Sequence, residues 1–278
     1  MLFLCLAILS SCAISLLMRI SADRVCAKLS VLGINYLICT LLSAAYCHFD
    51  VLCPEVSGFF MTIAMGVVNG FLFLGGFVLC QWNTRKNGIV LTSVFMKLGL
   101  LVPMAVSVAF FHDIPTQTQI IGFVLALVAI VLLNLKNEEK GRNFRWPLLV
   151  MLLMCGGADA MSKVFEVLGP GALSDQFLFY TFAVAFLLCT GMVLYQKERP
   201  GLREILFGIA IGVPNFFASK FLLLALKDLQ AVVVFPCFSI GTMLVATVAG
   251  VLFFKERLGK IQCLALGAII AALFLLNI

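Results

Sequence analysis

"FFHDIPTQTQIIGFVLALVAIVLLNL", residues 110–135, lines up with "FFKERLGKIQCLALGAIIAALFLLNI", residues 253–278. Phe110, Phe111, Asp113, Gln119 and Asn134 fall on Phe253, Phe254, Glu256, Gln262 and Asn277. Upstream, "GVVNGF" (66–71) falls on "GVPNFF" (212–217), Tyr36 on Tyr180, and Arg19 on Lys163. The offset is nearly constant, apart from a few extra residues around Arg85. The chain is therefore two copies of one unit, 1–135 and 147–278, joined by a linker at 136–146, "KNEEKGRNFRW". Self-similarity at a fixed spacing marks a repeat architecture.

What each copy contains follows from composition. The chain is 63% hydrophobic and 12% charged, with mean hydropathy +1.15, whereas a soluble domain is about one quarter charged. Apolar stretches recur at about 1–18, 31–47, 58–80, 89–111, 118–135, 147–166, 176–195, 204–226, 230–254 and 261–278. Each can cross roughly 30 Å of hydrocarbon as a helix. Lipid leaves an open backbone unpaired, so these segments must be helices. The fold class is all-α integral membrane protein, with ten transmembrane helices and no stretch left over for a soluble domain. Five helices per copy is an odd number, which forces the two copies into opposite orientations. Inverted repeats of this kind are typical of secondary transporters. The first segment has no basic region before its apolar run and is followed by Arg19, so it reads as a retained helix and not a signal peptide.

The net charge of +6 is informative loop by loop. After the odd segments stand Arg19, Arg24 and Lys28; Arg85 and Lys86; Lys136, Lys140, Arg142 and Arg145; Lys197, Arg199 and Arg203; Lys255, Arg257 and Lys260. After the even segments Lys227 stands alone among Asp50, Glu55, Asp113, Asp175 and Asp228. Short basic loops stay in the cytoplasm, which puts both termini outside. Basic residues spread along one membrane face also argue against nucleic acid as a partner.

The five-plus-five arrangement, the Asn-bearing third helix of each copy and the closing "GVLFFKERLGKIQCLALGAIIAALFLLN" resemble the drug/metabolite transporter (DMT) superfamily, EamA-like branch. The resemblance spans the whole chain. It implies a central cavity lined mainly by helices 1, 3, 4, 6, 8 and 9, and transport of small solutes such as amino acids, nucleotide sugars, sugar phosphates or drugs. Many family members have cytoplasmic termini, and the charge pattern here points the other way.

Within that frame the charged residues inside apolar segments become the candidate site. In "VLTSVFMKLGLLVPMAV" (90–106), Lys97 has only apolar and small polar neighbours and lies about 12 Å along its helix. Lys220 lies in "PNFFASKFLLLAL", and "GGADAMSKVFEVLG" carries Asp159 and Lys163 four residues apart on one helical face. Charges held in a membrane face an interior or a watery cavity and are paired or functional. We expect Lys97, with Lys220 and Lys163, to present cationic donors to an anionic group, and Asp159 to pair with one of them in the empty state. Lys97 or Asp159 could instead carry a coupling proton. Snorkelling of Lys163 and Lys220, with Asp159 neutralising Lys163, is the plainer alternative.

Asn69 and Asn215 occupy equivalent places in the two copies and serve as substrate contacts or as interhelical hydrogen bonds. Tyr36 and Tyr180 line the cavity or sit at the interface. Pro103, Pro214 and Pro236 are expected to interrupt their helices, and Gly75, Gly76, Gly156 and Gly157 to permit close packing. Asp113 and Glu256 read as surface charges at helix ends. The eleven cysteines carry no CxxC pair and behave as small apolar residues, with only Cys47 and Cys53 close together near a surface. His48 and His112 have no metal-ligand spacing, and there is no GxxxxGK[ST] loop. The expectation is thus neither an enzyme nor a cofactor or metal protein. It is a secondary transporter (exporter or exchanger) of a small metabolite, anionic or amino-acid-like, working by alternating access through a central cavity. A flippase for an anionic lipid-linked carrier is the alternative. Its partners would be the solute, membrane lipids and coupling protons or a counter-substrate. Compact ends suggest a bacterial plasma membrane.

Overall fold

The computed structural model describes residues 1–22, 24–52, 55–87, 89–134, 146–254 and 260–276. Among these every regular element is a helix: α1 (Leu2–Ala22), α2 (Lys28–Tyr46), α3 (Phe59–Asn87), α4 (Ile89–Leu98), α5 (Leu101–Phe111), α6 (Gln117–Asn134), α7 (Trp146–Leu168), α8 (Ser174–Tyr195), α9 (Leu202–Asp228), α10 (Ala231–Phe254) and α11 (Lys260–Leu276), with a 3₁₀ turn at Gly171–Leu173. Seven helices are long and apolar enough to cross a membrane, and three shorter apolar runs, Phe95–Phe111, Gln117–Ile130 and Gly267–Leu276, correspond to the remaining expected spans. Large apolar side chains such as Phe60, Phe110, Leu187 and Phe274 stand exposed along the helices. In water that surface would be penalised, whereas in hydrocarbon it is solvated. Trp146 and Tyr195, also exposed, sit at helix ends where amphipathic rings favour the interface. The all-α membrane class expected from composition is what the chain forms.

The fourth apolar segment is interrupted near Pro103 as expected, forming α4 and α5 separated at Gly99 and Leu100. Two expectations need correction. α9 and α10 run on through Pro214 and Pro236 without a break. Finally, Arg85 and Lys86 are not loop residues: they form the last turn of α3, where cations favour the negative end of the helix dipole. The linker 136–145, Cys53, Lys255, Glu256, Arg257 and Asn277 lie outside the described residues.

The helices gather into two compact units, Met1–Leu74 with Val164–Lys227, and Gly75–Lys163 with Asp228–Ile278. Each draws on both sequence copies, because α3 and α7 continue from one unit into the other. In the first unit α2 packs along α8, its counterpart in the repeat. Gly66 and Gly70 of α3 press on α8: a Cβ there would come within 2.6 Å of Tyr180 Cβ and 2.7 Å of the Thr181 carbonyl oxygen. Gly208 and Gly212 of α9 press on α2 in the same manner, 2.6 Å from Ile34 Cβ and 2.7 Å from Ile38 Cβ. The third helix of each copy thus seats a Gly-x₃-Gly face on the second helix of the other copy, the small-residue packing that lets membrane helices approach closely.

The helix starts in this unit are satisfied across the repeat. Glu198 accepts from the N–H and the hydroxyl of Ser30, both at 2.9 Å, and Glu204 accepts from the Cys26 N–H at 3.1 Å. These acids meet the open N–H groups and positive end of α2. Near the start of α8, Gln176 donates to the Asp50 carbonyl at 3.2 Å and the Tyr180 hydroxyl to the Val51 carbonyl at 2.6 Å.

In the second unit α6 packs along α11. These are the two stretches whose alignment revealed the repeat. Ala126, Ala129 and Ile130 of α6 and Ile269, Ala272 and Leu276 of α11 are fully buried. α10 packs on α5, α6 and α11, and α4 on α6.

Candidate functional site

The break between α4 and α5 begins the site. Pro103 has no N–H to give the Gly99 carbonyl four residues back. The Val102 N–H takes that carbonyl instead, at 3.0 Å, while the Gly99 and Leu100 N–H groups donate to the Met96 and Lys97 carbonyls at 3.2 and 3.4 Å. The chain therefore turns through one 3₁₀ step. Gly156 of α7 sits directly against it: a Cβ on Gly156 would run into the Gly99 carbonyl oxygen and, at 2.7 Å, the Val102 side chain.

This crossing brings two charges together. Lys97 lies two residues before Gly99, and Asp159 three residues after Gly156, about 4.5 Å farther along α7. The Lys97 ammonium donates to the Thr242 hydroxyl at 3.4 Å, and that hydroxyl donates to the Ser239 carbonyl at 2.8 Å. Thr242 lies midway along α10 and Asp159 just past the middle of α7. Lys97 and Asp159 are both half-buried. Each charge acts on the other, yet among the described residues no contact of 4.0 Å or less joins them. Cys155 lies one turn before Asp159, and the Cys80 sulfur lies 3.9 Å from that of Met96.

Lys163 has a different partner from the one expected. It pairs with Asp113 at 3.5 Å and stands over the Phe111 ring at 6.0 Å. Asp113 is consequently no plain surface charge: its side chain is 18% exposed and also accepts from the Ser107 hydroxyl. The left-handed backbone of His112 (φ 56°) turns the chain at the end of α5, just before Asp113.

The other candidates belong to the first unit. Lys220 pairs with Asp175 at 2.9 Å and sits over the Tyr46 ring at 3.5 Å. The Asn215 amide donates to Asn35 Oδ1 at 3.1 Å, a contact between α9 and α2. The Asn69 amide donates to Thr181 Oγ1 at 3.3 Å, a contact between α3 and α8, while its own Oδ1 is buried and has no partner among the described residues. Tyr36 is buried and lies against the Phe182 ring at 6.5 Å. Tyr180 is engaged by the loop contact to Val51. Of the residues singled out from sequence, Lys97 and Asp159 come together. Sequence reasoning passed over Thr242, Asn35, Asp175 and the partnership of Asp113. The signal for Thr242 was a polar pair, Ser239 and Thr242, in the middle of an otherwise apolar run.

Residues 146–278 match the model of the EamA-like transporter family, which bears out the resemblance read from the sequence. The protein is thus a multi-pass membrane protein whose second copy is similar to that family. Over 282 residues it is 26% identical to an uncharacterized protein of Haemophilus influenzae, covering 97% of this chain and 95% of that one. It also resembles a protein of known crystal structure with a TM-score of 0.75 and 14% identity, covering 99% and 94% of the two chains. At that identity the likeness speaks for the fold alone.

Proposed function

We propose that the protein is a secondary transporter that exports or exchanges a small solute bearing an anionic group, by alternating access, with Lys97 as the residue that holds the anion. The observation that carries this reading is Lys97 itself. A lysine at the centre of a membrane costs about 2.5–3.5 kcal/mol or more, and among the described residues this one has a single hydroxyl as hydrogen-bond partner, at 3.4 Å. It stands at a helix break, and discontinuous helices recur at transporter binding sites because the second half-helix offers its positive end to anions. Energy would come from a gradient or a counter-solute. By the distribution of basic loops, the termini lie outside a bacterial plasma membrane.

The test is a thermal-shift series on purified protein with anionic, zwitterionic and cationic metabolites, run on the parent and on Lys97→Met. A ligand at one hundred times its Kd adds about 2.7 kcal/mol to apparent stability. Compounds with an anionic group should stabilise the parent and lose that effect in the variant. Equal stabilisation of both proteins, or a response to cations alone, would remove Lys97 from the site.

A further inference from the structure

We infer that the first unit carries a binding site for the headgroup of an anionic phospholipid, where the end of α8 and the start of α9 meet the start of α2. It is a second site, independent of Lys97. Two ties between distant parts of the chain build it. Glu204 accepts from the Cys26 N–H at 3.1 Å, across 178 positions, and Glu198 accepts from the N–H and the hydroxyl of Ser30 at 2.9 Å, across 168. Each tie gathers the bases beside it. Arg24 and Arg203 flank the first, and Lys28, Lys197 and Arg199 flank the second. All five are exposed, all belong to one unit, and among the described residues none of them forms a salt bridge. Asp23 lies outside the described residues.

The two acids at this corner are committed to the backbone. Glu204 also takes the Gly201 N–H at 3.1 Å, so both carboxylates serve N–H groups and leave the bases to an outside anion. A surface that concentrates one sign of charge attracts the other. The apolar surroundings point to a lipid as the source of that anion. Leu194 and Tyr195 at the end of α8, Leu202 and Leu206 at the start of α9, and Met18 near the end of α1 all stand exposed. α1 reaches the same corner, because its Ile14 and Leu17 pack with Phe207 against Val25, Val31 and Ile211. Acyl chains can lie along these apolar side chains while the phosphate meets the bases at the helix ends. Each Lys or Arg near a membrane surface adds about fivefold to the affinity for anionic lipid.

The experiment titrates the purified chain, in a neutral detergent, with phosphatidylglycerol, with phosphatidylcholine and with glycerol 3-phosphate, and reads thermal unfolding. Phosphatidylglycerol should raise the unfolding temperature well above the effect of phosphatidylcholine. The pair Arg24→Gln with Arg203→Gln, and the pair Lys28→Gln with Arg199→Gln, should each weaken that effect about tenfold or more. Arg85→Gln with Lys86→Gln, exposed bases of the other unit, should leave it within about twofold. The comparison of lipids on the parent stands even if a variant fails to fold. An equal response to phosphatidylcholine overturns the inference. So does stabilisation by glycerol 3-phosphate that the first two pairs abolish, since the site would then take a soluble anion. If the Arg85 and Lys86 pair loses as much as the others, the attraction belongs to basic residues in general and the site falls. Loss of the lipid effect in Lys97→Met but in neither of the first two pairs would place the lipid at Lys97 and overturn the inference too.

Discussion

The carbonyl oxygen of Gly99 lies against the Cα of Gly156, with no space for a side chain on α7 at that point. Two features meet there: the carbonyl that Pro103 cannot pair in helical fashion, and a helix that must come close enough to set Asp159 beside Lys97. The contact leaves no slack between the bend and α7. Gly156→Ala should therefore lower stability by about 1–3 kcal/mol through overpacking, and reduce solute binding by more than the loss of fold accounts for. Thermal unfolding and ligand titration on the same sample separate the two effects. Unchanged stability would mean that the crossing is looser than it looks.

The two Gly-x₃-Gly faces predict a matched pair of effects. Gly66→Leu and Gly212→Leu should each destabilise the protein strongly and to a similar degree, because a Cβ already comes within 2.6 and 2.7 Å of the facing helix. Gly191→Ala is the control, since nothing lies within 4 Å of its Cβ position. It should be neutral or stabilising by up to about 1 kcal/mol, the usual gain from removing a glycine within a helix. Denaturation midpoints of the three variants check this ranking.

Asn69 and Asn215 are equivalent in sequence but not in consequence. Asn215→Ala removes a donor from Asn35 Oδ1, a buried acceptor otherwise served by the Cys39 thiol at 3.9 Å, and should cost about 1–3 kcal/mol. In Asn69→Ala one bond to Thr181 is lost, but so is a buried oxygen without a partner. Thr181 keeps its bond to the Phe177 carbonyl. A cost of about 1 kcal/mol or less is expected. If Asn69 proves the costlier site, the unpaired oxygen has a role that these contacts do not explain.

Lys220 and Asp175 should behave as a coupled structural pair. Lys220→Met and Asp175→Asn are each expected to lose about 1–3 kcal/mol, and the double variant clearly less than the sum of the two. The ring of Tyr46 beneath the ammonium adds to the single loss at Lys220. Solute affinity should stay within threefold of the parent in all three. A tenfold loss of affinity in Lys220→Met alone would return that residue to the list of solute contacts.

Much of the molecule was readable from the chain alone, for physical reasons. Helix count and class follow from the length of apolar runs, since hydrocarbon permits little else, and the repeat follows from matching residues at a nearly constant spacing. Lys97 and Asp159 stood out because a charge in an apolar run is costly wherever the run goes. Tertiary packing decided the partners. The i,i+4 spacing of Asp159 and Lys163 offered a local pair, but the turn at His112 brings Asp113 to Lys163 and leaves Asp159 to act on Lys97. Pro103 breaks its helix while Pro214 and Pro236 do not, which the proline itself cannot reveal. At Pro103 there is also a glycine four residues before it and a second glycine on α7 against which the freed carbonyl can rest. Sequence sets what each helix must bury or keep in lipid, whereas contacts between residues far apart in the chain depend on how closely two backbones approach.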